Sequence, residues 1–211
     1  MTRDIKGCWW LVAALAAPGT VAAPQPLEIT VYVYNVAQLS HGMLRNAEQS
    51  TAKIFEVAGI RTTWREPHSS IPEDLEAGSR GDPWVPTNIA LKIYTRPMIK
   101  ELQVDEGVMG FVLRFETNSA VILYDRVQNL AGFKRTDTAP ILGIAMAHEI
   151  GRLLLRFREH SSQGIMRRDW PSTDLQSAAQ ARLRFTAEQS QRMRDEVLRR
   201  SAEPPKNRVE D

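Results

Sequence analysis

The stretch from Thr138 to about Phe157 is almost continuously apolar, yet it carries a histidine and a glutamate side by side, His148 and Glu149. Proline is tolerated in the first turn of a helix, so Pro140 is compatible with a helix that begins at Thr138. The pattern of the stretch predicts a helix that continues to about Phe157. This helix carries two ionisable groups within an apolar run, which makes it the most informative segment of the chain.

The segments before this helix alternate between apolar and polar residues, which is typical of half-buried strands. Leu27–Tyr34 shows the clearest alternation. Further strands are predicted at Ile60–Trp64, at 89–93, at Gly110–Phe115 and at Ala120–Val127, the last two joined by a tight turn at Asn118-Ser119.

Helix caps complete the pattern of elements. Ser40 predicts the start of a first helix that ends by Gly59, and residues 67–87 are predicted to form a surface loop. Thr186 and Gln189 form a capping box for a last helix that ends near Arg200. The sequence therefore predicts an α/β (α+β) fold, a mixed sheet with a backing helix, the apolar helix and a C-terminal helix.

The first 23 residues have the features of a secretory signal peptide. Arg3 and Lys6 precede an apolar run, Cys8–Ala17, that is too short to span a bilayer, and small residues follow up to Ala23. We therefore expect a secreted or periplasmic protein, cleaved near Ala23 and without stable membrane insertion afterwards; a buried N-terminal helix is the alternative. Residues 24–200 are expected to form a single domain and 201–211 a disordered tail.

The charge balance argues against a nucleic-acid partner, and the cysteine content argues against disulfide bonds. The chain has 27 Lys and Arg against 25 Asp and Glu, a net charge of +2, and no nucleic acid is expected as a partner. The excess of basic residues after position 152 is interspersed with acids, which is typical of a solvated helix face. The single cysteine excludes an intrachain disulfide. We expect a monomer.

The pair His148-Glu149 matches the first part of a zinc site carried on a helix. Two histidines four residues apart share a helical face and can reach one ion, and a glutamate directly after the first can act as general base on a metal-bound water. The residue four positions after His148 is Arg152, however. Arginine stays protonated and has no lone pair, so it is not a metal ligand.

The segment AHEIGRLLLRFREHSSQGIM, residues 147–166, resembles the active-site region of the metzincin zinc metallopeptidases, in particular secreted bacterial members with a longer spacing. That family carries HExxH, a glycine turn, a third histidine and a downstream Met-turn. The resemblance implies a metzincin-like fold, zinc as cofactor and a peptide or protein substrate. It also implies that His148 and His160 are zinc ligands, that Glu149 is the catalytic base and that Met166 is the Met-turn residue beneath the metal.

Two residues depart from the family pattern. Arg152 stands in place of the second ligand, and Arg156 stands in place of the glycine at which the helix ends. A guanidinium near the metal position repels a cation and can pair with Glu149. We therefore expect weak or absent zinc binding and impaired hydrolysis. The resemblance also implies that an extended substrate lies along the edge strand of the sheet, for which Ala120–Val127 is the candidate.

Other residues could replace the missing ligand. His41, His68 and Asp169 have suitable donor atoms, but none of them has the expected spacing. The alternative function is that of a non-catalytic binding protein, a pseudoprotease that keeps the cleft and uses Arg152 to hold a carboxylate or a peptide terminus.

Overall fold

The computed structural model describes residues 26–67, 85–99, 104, 108–115, 118–156, 160–168, 170 and 183–205. The strands are β1 (Glu28–Asn35), β2 (Arg61–Arg65), β3 (Asn88–Tyr94), β4 (Gly110–Arg114) and β5 (Ser119–Leu123). The α-helices are α1 (His41–Val57), α2 (Tyr124–Lys134), α3 (Thr138–Leu155) and α4 (Ala187–Ser201), and short 3₁₀ helices lie at Arg96–Ile99 and Gly164–Met166. The predicted signal peptide, His68, Asp169 and the end of the predicted tail (206–211) lie outside the described residues.

The strands form one mixed sheet in the order β2-β1-β3-β5-β4. β1 pairs in parallel with both β2 and β3, and β3 pairs in parallel with β5. β4 runs antiparallel to β5 and lies at one edge of the described sheet. The predicted α/β fold with a mixed sheet is therefore confirmed.

The main core joins the sheet to α1 and α3. The inward residues of β1, which were predicted to share a face, are at most 1% exposed and belong to this core: Ile29, Val31 and Val33. The two helices approach closely at Gly143 of α3, where a Cβ atom would lie 2.6 Å from the Cβ of Ser50. Thr51 of α1 donates a hydrogen bond of 2.9 Å to the carbonyl of Gly143. This contact fixes α3, and with it the site, against the rest of the core.

The predicted helix ends agree with the structure. The side chain of Ser40 accepts a hydrogen bond from the backbone N–H of Met43 at the start of α1. Gly59, after that helix, has a φ of +80°, a left-handed conformation that glycine adopts without strain. At the start of α4, both hydrogen bonds of the capping box between Thr186 and Gln189 are present. Local side-chain chemistry thus sets the limits of α1 and α4.

The interpretation of Ala120–Val127 as an edge strand is wrong in two respects. The strand ends at Leu123, and Val127 lies in α2. β5 is moreover an interior strand with every residue buried, paired with β3 on one side and β4 on the other. A short apolar run such as Ala120–Leu123 is typical of a strand covered on both faces, not of an edge. The edge position belongs to β4.

In the part of the chain that the structure describes, one helix has the length and composition of a membrane span, α3, with a mean hydropathy of 1.2 over 18 residues. Of that window, 83% is buried inside the fold. The predicted helix is therefore present, and the structure shows that it is packed in the core.

Candidate functional site

The site lies in the second half of α3. His148 and Glu149 face the interior and are 6% and 3% exposed. Arg152 follows His148 by one helical turn, and 16% of its side chain remains accessible to solvent. The apolar residues around these groups pack α3 into the core. The three polar side chains therefore lie close together on one helix.

The helix ends at Leu155 even though arginine occupies the position of the family's glycine. Arg156 has φ 53° and ψ 33°, the left-handed conformation that usually favours glycine at a helix C-terminus. The helix is therefore not extended by a turn beyond Leu155, and His160 lies against His148 of α3.

His148 and His160, the two predicted ligands, lie together. Their ring centroids are 5.4 Å apart with an angle of 30° between the ring planes. His148 Nδ1 lies 2.9 Å from the carbonyl oxygen of Ile165. Because a carbonyl only accepts hydrogen bonds, Nδ1 carries the proton and the lone pair of the neutral ring lies on Nε2.

The state of the His148 ring follows from its surroundings. Burial lowers the pKa of His148 to about 4, the hydrogen bond to Ile165 opposes this shift, and the charges of His160 and Arg152 add to it. The imidazole is therefore neutral at physiological pH. A neutral imidazole held through Nδ1 by a backbone carbonyl is the form in which histidine binds a metal through Nε2.

The turn that contains Met166 forms the base of the site. Met166 is fully buried, and its Sδ atom lies 3.0 Å from the position of a Cβ on Gly151 of α3. Trp170 Nε1 donates a hydrogen bond of 3.1 Å to the same Ile165 carbonyl that His148 contacts, and the Trp170 ring meets the His148 ring edge-on at 5.7 Å between centroids. Met166 therefore packs against α3 at Gly151, and its role as the Met-turn residue stays a prediction.

Glu149 is packed against the first residue of the edge strand β4. A Cβ on Gly110 would lie 2.8 Å from Glu149 Cγ and 3.1 Å from Glu149 Oε1, so the carboxylate is accommodated there because position 110 has no side chain. Among the described residues, Glu149 Oε2 has no hydrogen-bond partner, and its ion pair is with Arg152 Nη1 at 3.7 Å. Burial raises the pKa of Glu149, and the positive charge of Arg152 acts in the opposite direction.

The donor set does not match that of a zinc peptidase centre. Two imidazoles are present, but the place of the second ligand is occupied by the guanidinium of Arg152, which cannot bind a cation. Within the described ranges, no group of three or more His, Cys, Asp or Glu side chains is arranged to hold a metal ion. His41 does not supply the missing ligand: it lies at the start of α1, where its side chain is 81% exposed and 3.8 Å from Glu66.

Sequence reasoning missed three contributors to the site. Gly110 makes room for Glu149, the Ile165 carbonyl orients His148, and Trp170 shares that carbonyl. An isolated glycine at a strand position often marks close approach of another group, so Gly110 carried a usable signal. The roles of Ile165 and Trp170 depend on the folded turn and have no such signal.

A scan against protein-family models and a search of the curated proteins give no match for this chain. A zinc-dependent peptidase from Methanocorpusculum labreanum (strain Z) has a similar structure, with a TM-score of 0.50 over 78% of this chain and 99% of that protein. The two sequences are 13% identical. At this identity the similarity concerns the fold alone. The chain therefore has a zinc-peptidase-like fold.

Proposed function

We propose that this protein is an exported, metzincin-like zinc metallopeptidase homologue in which Arg152 impairs zinc binding and peptide-bond hydrolysis. The observation that carries the proposal is the pair formed by Arg152 Nη1 and Glu149 Oε2 at 3.7 Å, one helical turn from His148. In this assignment His148 and His160 are the remaining ligand residues, Glu149 is the catalytic base and Met166 supports the site from below.

Arg152 acts against both requirements of metal-assisted hydrolysis. It removes one nitrogen ligand and places a fixed positive charge beside the position of the ion, where it repels a cation. It also engages the carboxylate that would take a proton from water. Zinc, when bound at this kind of site, supplies a polarised water and stabilises developing charge on a peptide carbonyl. Among the described residues two imidazoles and no third ligand meet at the site, so we propose that this chain holds such an ion weakly or not at all.

A peptide or protein is the expected ligand, because the fold presents an edge strand next to the site. β4 is paired on one side with β5, and its first residue contacts Glu149. An extended peptide that adds to this edge would lie beside the strand whose first residue contacts Glu149. We propose β4, rather than the region 120–127, as the strand along which the peptide lies, with a monomeric protein and without nucleic acid or membrane as partner.

The second candidate is a peptide-binding protein without catalysis. Its support is the partial accessibility of Arg152, whose side chain is 16% exposed and whose planar guanidinium is suited to a carboxylate. In this case the protein would bind a peptide through the positive charge of Arg152 and through strand pairing along β4. The two candidates differ in what happens when a histidine is placed at position 152.

Zinc content is the deciding measurement. Residues 24–211 are purified without chelator or metal-affinity tag, and zinc is measured by elemental mass spectrometry for the wild type and for Arg152→His. We expect substoichiometric zinc in the wild type and about equimolar zinc in Arg152→His, because three helix and loop imidazoles then converge. The gain should disappear when His148→Ala or His160→Ala is added. Arg192→His, an exposed position on α4, is the matched control and should bind no additional zinc.

Proteolysis of an unstructured protein substrate separates the two candidates. Zinc binding together with hydrolysis in Arg152→His supports the impaired-peptidase proposal. Zinc binding without hydrolysis, combined with peptide affinity in the wild type, favours the binding protein. Equimolar zinc in the wild type, lost in His148→Ala, would contradict the proposal and require a replacement ligand.

A further inference from the structure

We propose that the guanidinium of Arg152 takes the structural place of the metal ion in this chain, so that the site is assembled by the polypeptide alone. Arg152 supplies the positive charge that keeps the Glu149 side chain in its position under β4. This inference rests on the proposed function, since it treats the site as the equivalent of a zinc centre.

The surroundings of Glu149 explain why its carboxyl group needs a positive charge close by. Its side chain is 5% exposed, and it is confined by the backbone of β4 at Gly110. Within the described part of the chain, Oε2 has no hydrogen-bond partner. A buried carboxyl without hydrogen bonds at one oxygen is unfavourable unless a positive charge is close, and the Arg152 guanidinium at 3.7 Å meets that need.

The histidines are likewise held by protein contacts. His148 is fixed by the Ile165 carbonyl and by the edge-on contact with Trp170, and His160 stacks on His148. Ile165 and Met166 are in turn buried beneath α3. Each polar group of the site therefore has a position set by the chain, and none of these contacts requires an ion.

A double-mutant cycle tests the charge pair. Arg152→Met removes the charge and leaves a shorter, unbranched apolar side chain, and Glu149→Gln removes the opposite charge at nearly constant shape. We expect Arg152→Met to raise the unfolding equilibrium constant about tenfold or more. The double variant should return most of the way to the wild-type constant. Arg192→Met, exposed on α4, is the matched control and should change the constant by less than about threefold.

The outcomes of the cycle are distinct. If Arg152→Met does not fold while the double variant does, the result supports a strong energetic coupling between Arg152 and Glu149. If the two single effects add without coupling, Arg152 is not the counter-charge of Glu149 and the inference is overturned. Arg152→Lys retains a positive charge but lacks the planar guanidinium. Its unfolding equilibrium constant should lie between those of the wild type and Arg152→Met.

Metal dependence is measured on the same proteins. The thermal unfolding midpoint of the wild type should be the same in EDTA and in excess ZnCl₂, whereas that of Arg152→His should rise with ZnCl₂ and fall with EDTA. A wild-type midpoint that falls in EDTA overturns the inference. If Arg152→His gains no zinc-dependent stability while the cycle shows coupling, the zinc-peptidase assignment fails and the charge pair stands, so the two failures are distinguishable.

Discussion

Arg200 of α4 donates a hydrogen bond of 2.9 Å from Nη1 to Oδ1 of Asn118, in the turn between β4 and β5. Its Nη2 donates to the carbonyl of Leu153 near the end of α3, at 2.8 Å, and its Nε donates to Glu196 at 2.8 Å. Arg200 is only 3% exposed. One buried side chain therefore joins the C-terminal helix to the edge hairpin and to the helix that carries the candidate site.

Replacing Arg200 should destabilise the protein strongly, because Arg200→Met leaves the Asn118 and Leu153 oxygens buried without their donor. We expect a loss of about 3 kcal/mol in the free energy of unfolding, measured by urea denaturation. The neighbouring Arg199 also pairs with Glu196, but its side chain is 52% exposed. Arg199→Met is therefore the control and should lose at most about 1 kcal/mol. Equal losses for both variants would contradict this account.

Gly143→Ala should destabilise the contact between α1 and α3. Alanine normally stabilises a helix interior relative to glycine by about 1 kcal/mol, but here the new Cβ would lie 2.6 Å from Ser50 Cβ and 2.9 Å from the Ala47 carbonyl oxygen. We expect a net loss of about 1–3 kcal/mol from overpacking. Gly132→Ala in α2 should stabilise instead, because no described atom outside the neighbouring backbone of α2 lies within 4 Å of the new Cβ. Chemical denaturation of both variants gives the comparison, and a stable Gly143→Ala would show that the helices separate easily.

Arg156→Gly should stabilise the protein, because position 156 has a φ of 53° and glycine adopts this conformation without strain. The expected gain is about 0.5–1 kcal/mol in the free energy of unfolding. Arg156→Ala is the control: it also removes the charge that acts on Arg200, but it keeps the Cβ atom and with it the strain. A gain that is the same for alanine and glycine would assign the effect to charge and not to the backbone.

Glu48 of α1 should make stability depend on pH. Burial raises the pKa of Glu48 to about 7, the charge of Glu66 adds to this shift, and Arg45 and His41 oppose it. The folded state thus binds the Glu48 proton more tightly than the unfolded state. Stability from this group is present below the unfolded pKa, near 4.5, and falls as pH rises toward about 7.

The variant Glu48→Gln removes this pH dependence. We expect Glu48→Gln to stabilise the protein by on the order of 1 kcal/mol at about pH 8 and to have little effect at about pH 4, the shift being discounted for partial solvent access. Thermal unfolding at both pH values measures the difference. Glu56→Gln, exposed on the same helix, is the control. A benefit of Glu48→Gln that is equal at both pH values would exclude titration of Glu48 as its cause.

Features set by local sequence could be predicted. The alternation in β1, the caps of α1 and α4 and the apolar character of α3 depend on neighbouring residues, and the structure agrees with each. These features follow from short-range chemistry and need no knowledge of the sheet order. His148 and His160 also lie together, with ring centroids 5.4 Å apart. The ligand and Met-turn roles that the resemblance implies for His148, His160 and Met166 stay predictions.

Features that depend on distant contacts could not be predicted. The apolar run Ala120–Leu123 shows that the strand is buried, but not which strand lies outside it, and α2 begins directly after it without a side-chain cap. The cap at Arg156 was not foreseen either, since arginine is rare in a left-handed conformation and is tolerated here because the surrounding fold imposes it. The contact between Glu149 and Gly110 joins segments that only the sheet brings together.

The strand order also determines how far apart along the chain the paired strands lie. Within the described sheet, β4 and β5 are neighbours in the chain and are joined by a short turn. The pairing of β1 with β3 instead closes a long loop that contains α1 and β2. Closing such loops costs entropy before any contact compensates, which slows folding. A chain whose sheet has not yet formed leaves the apolar surface of α3 uncovered, and such a surface favours association between partly folded chains.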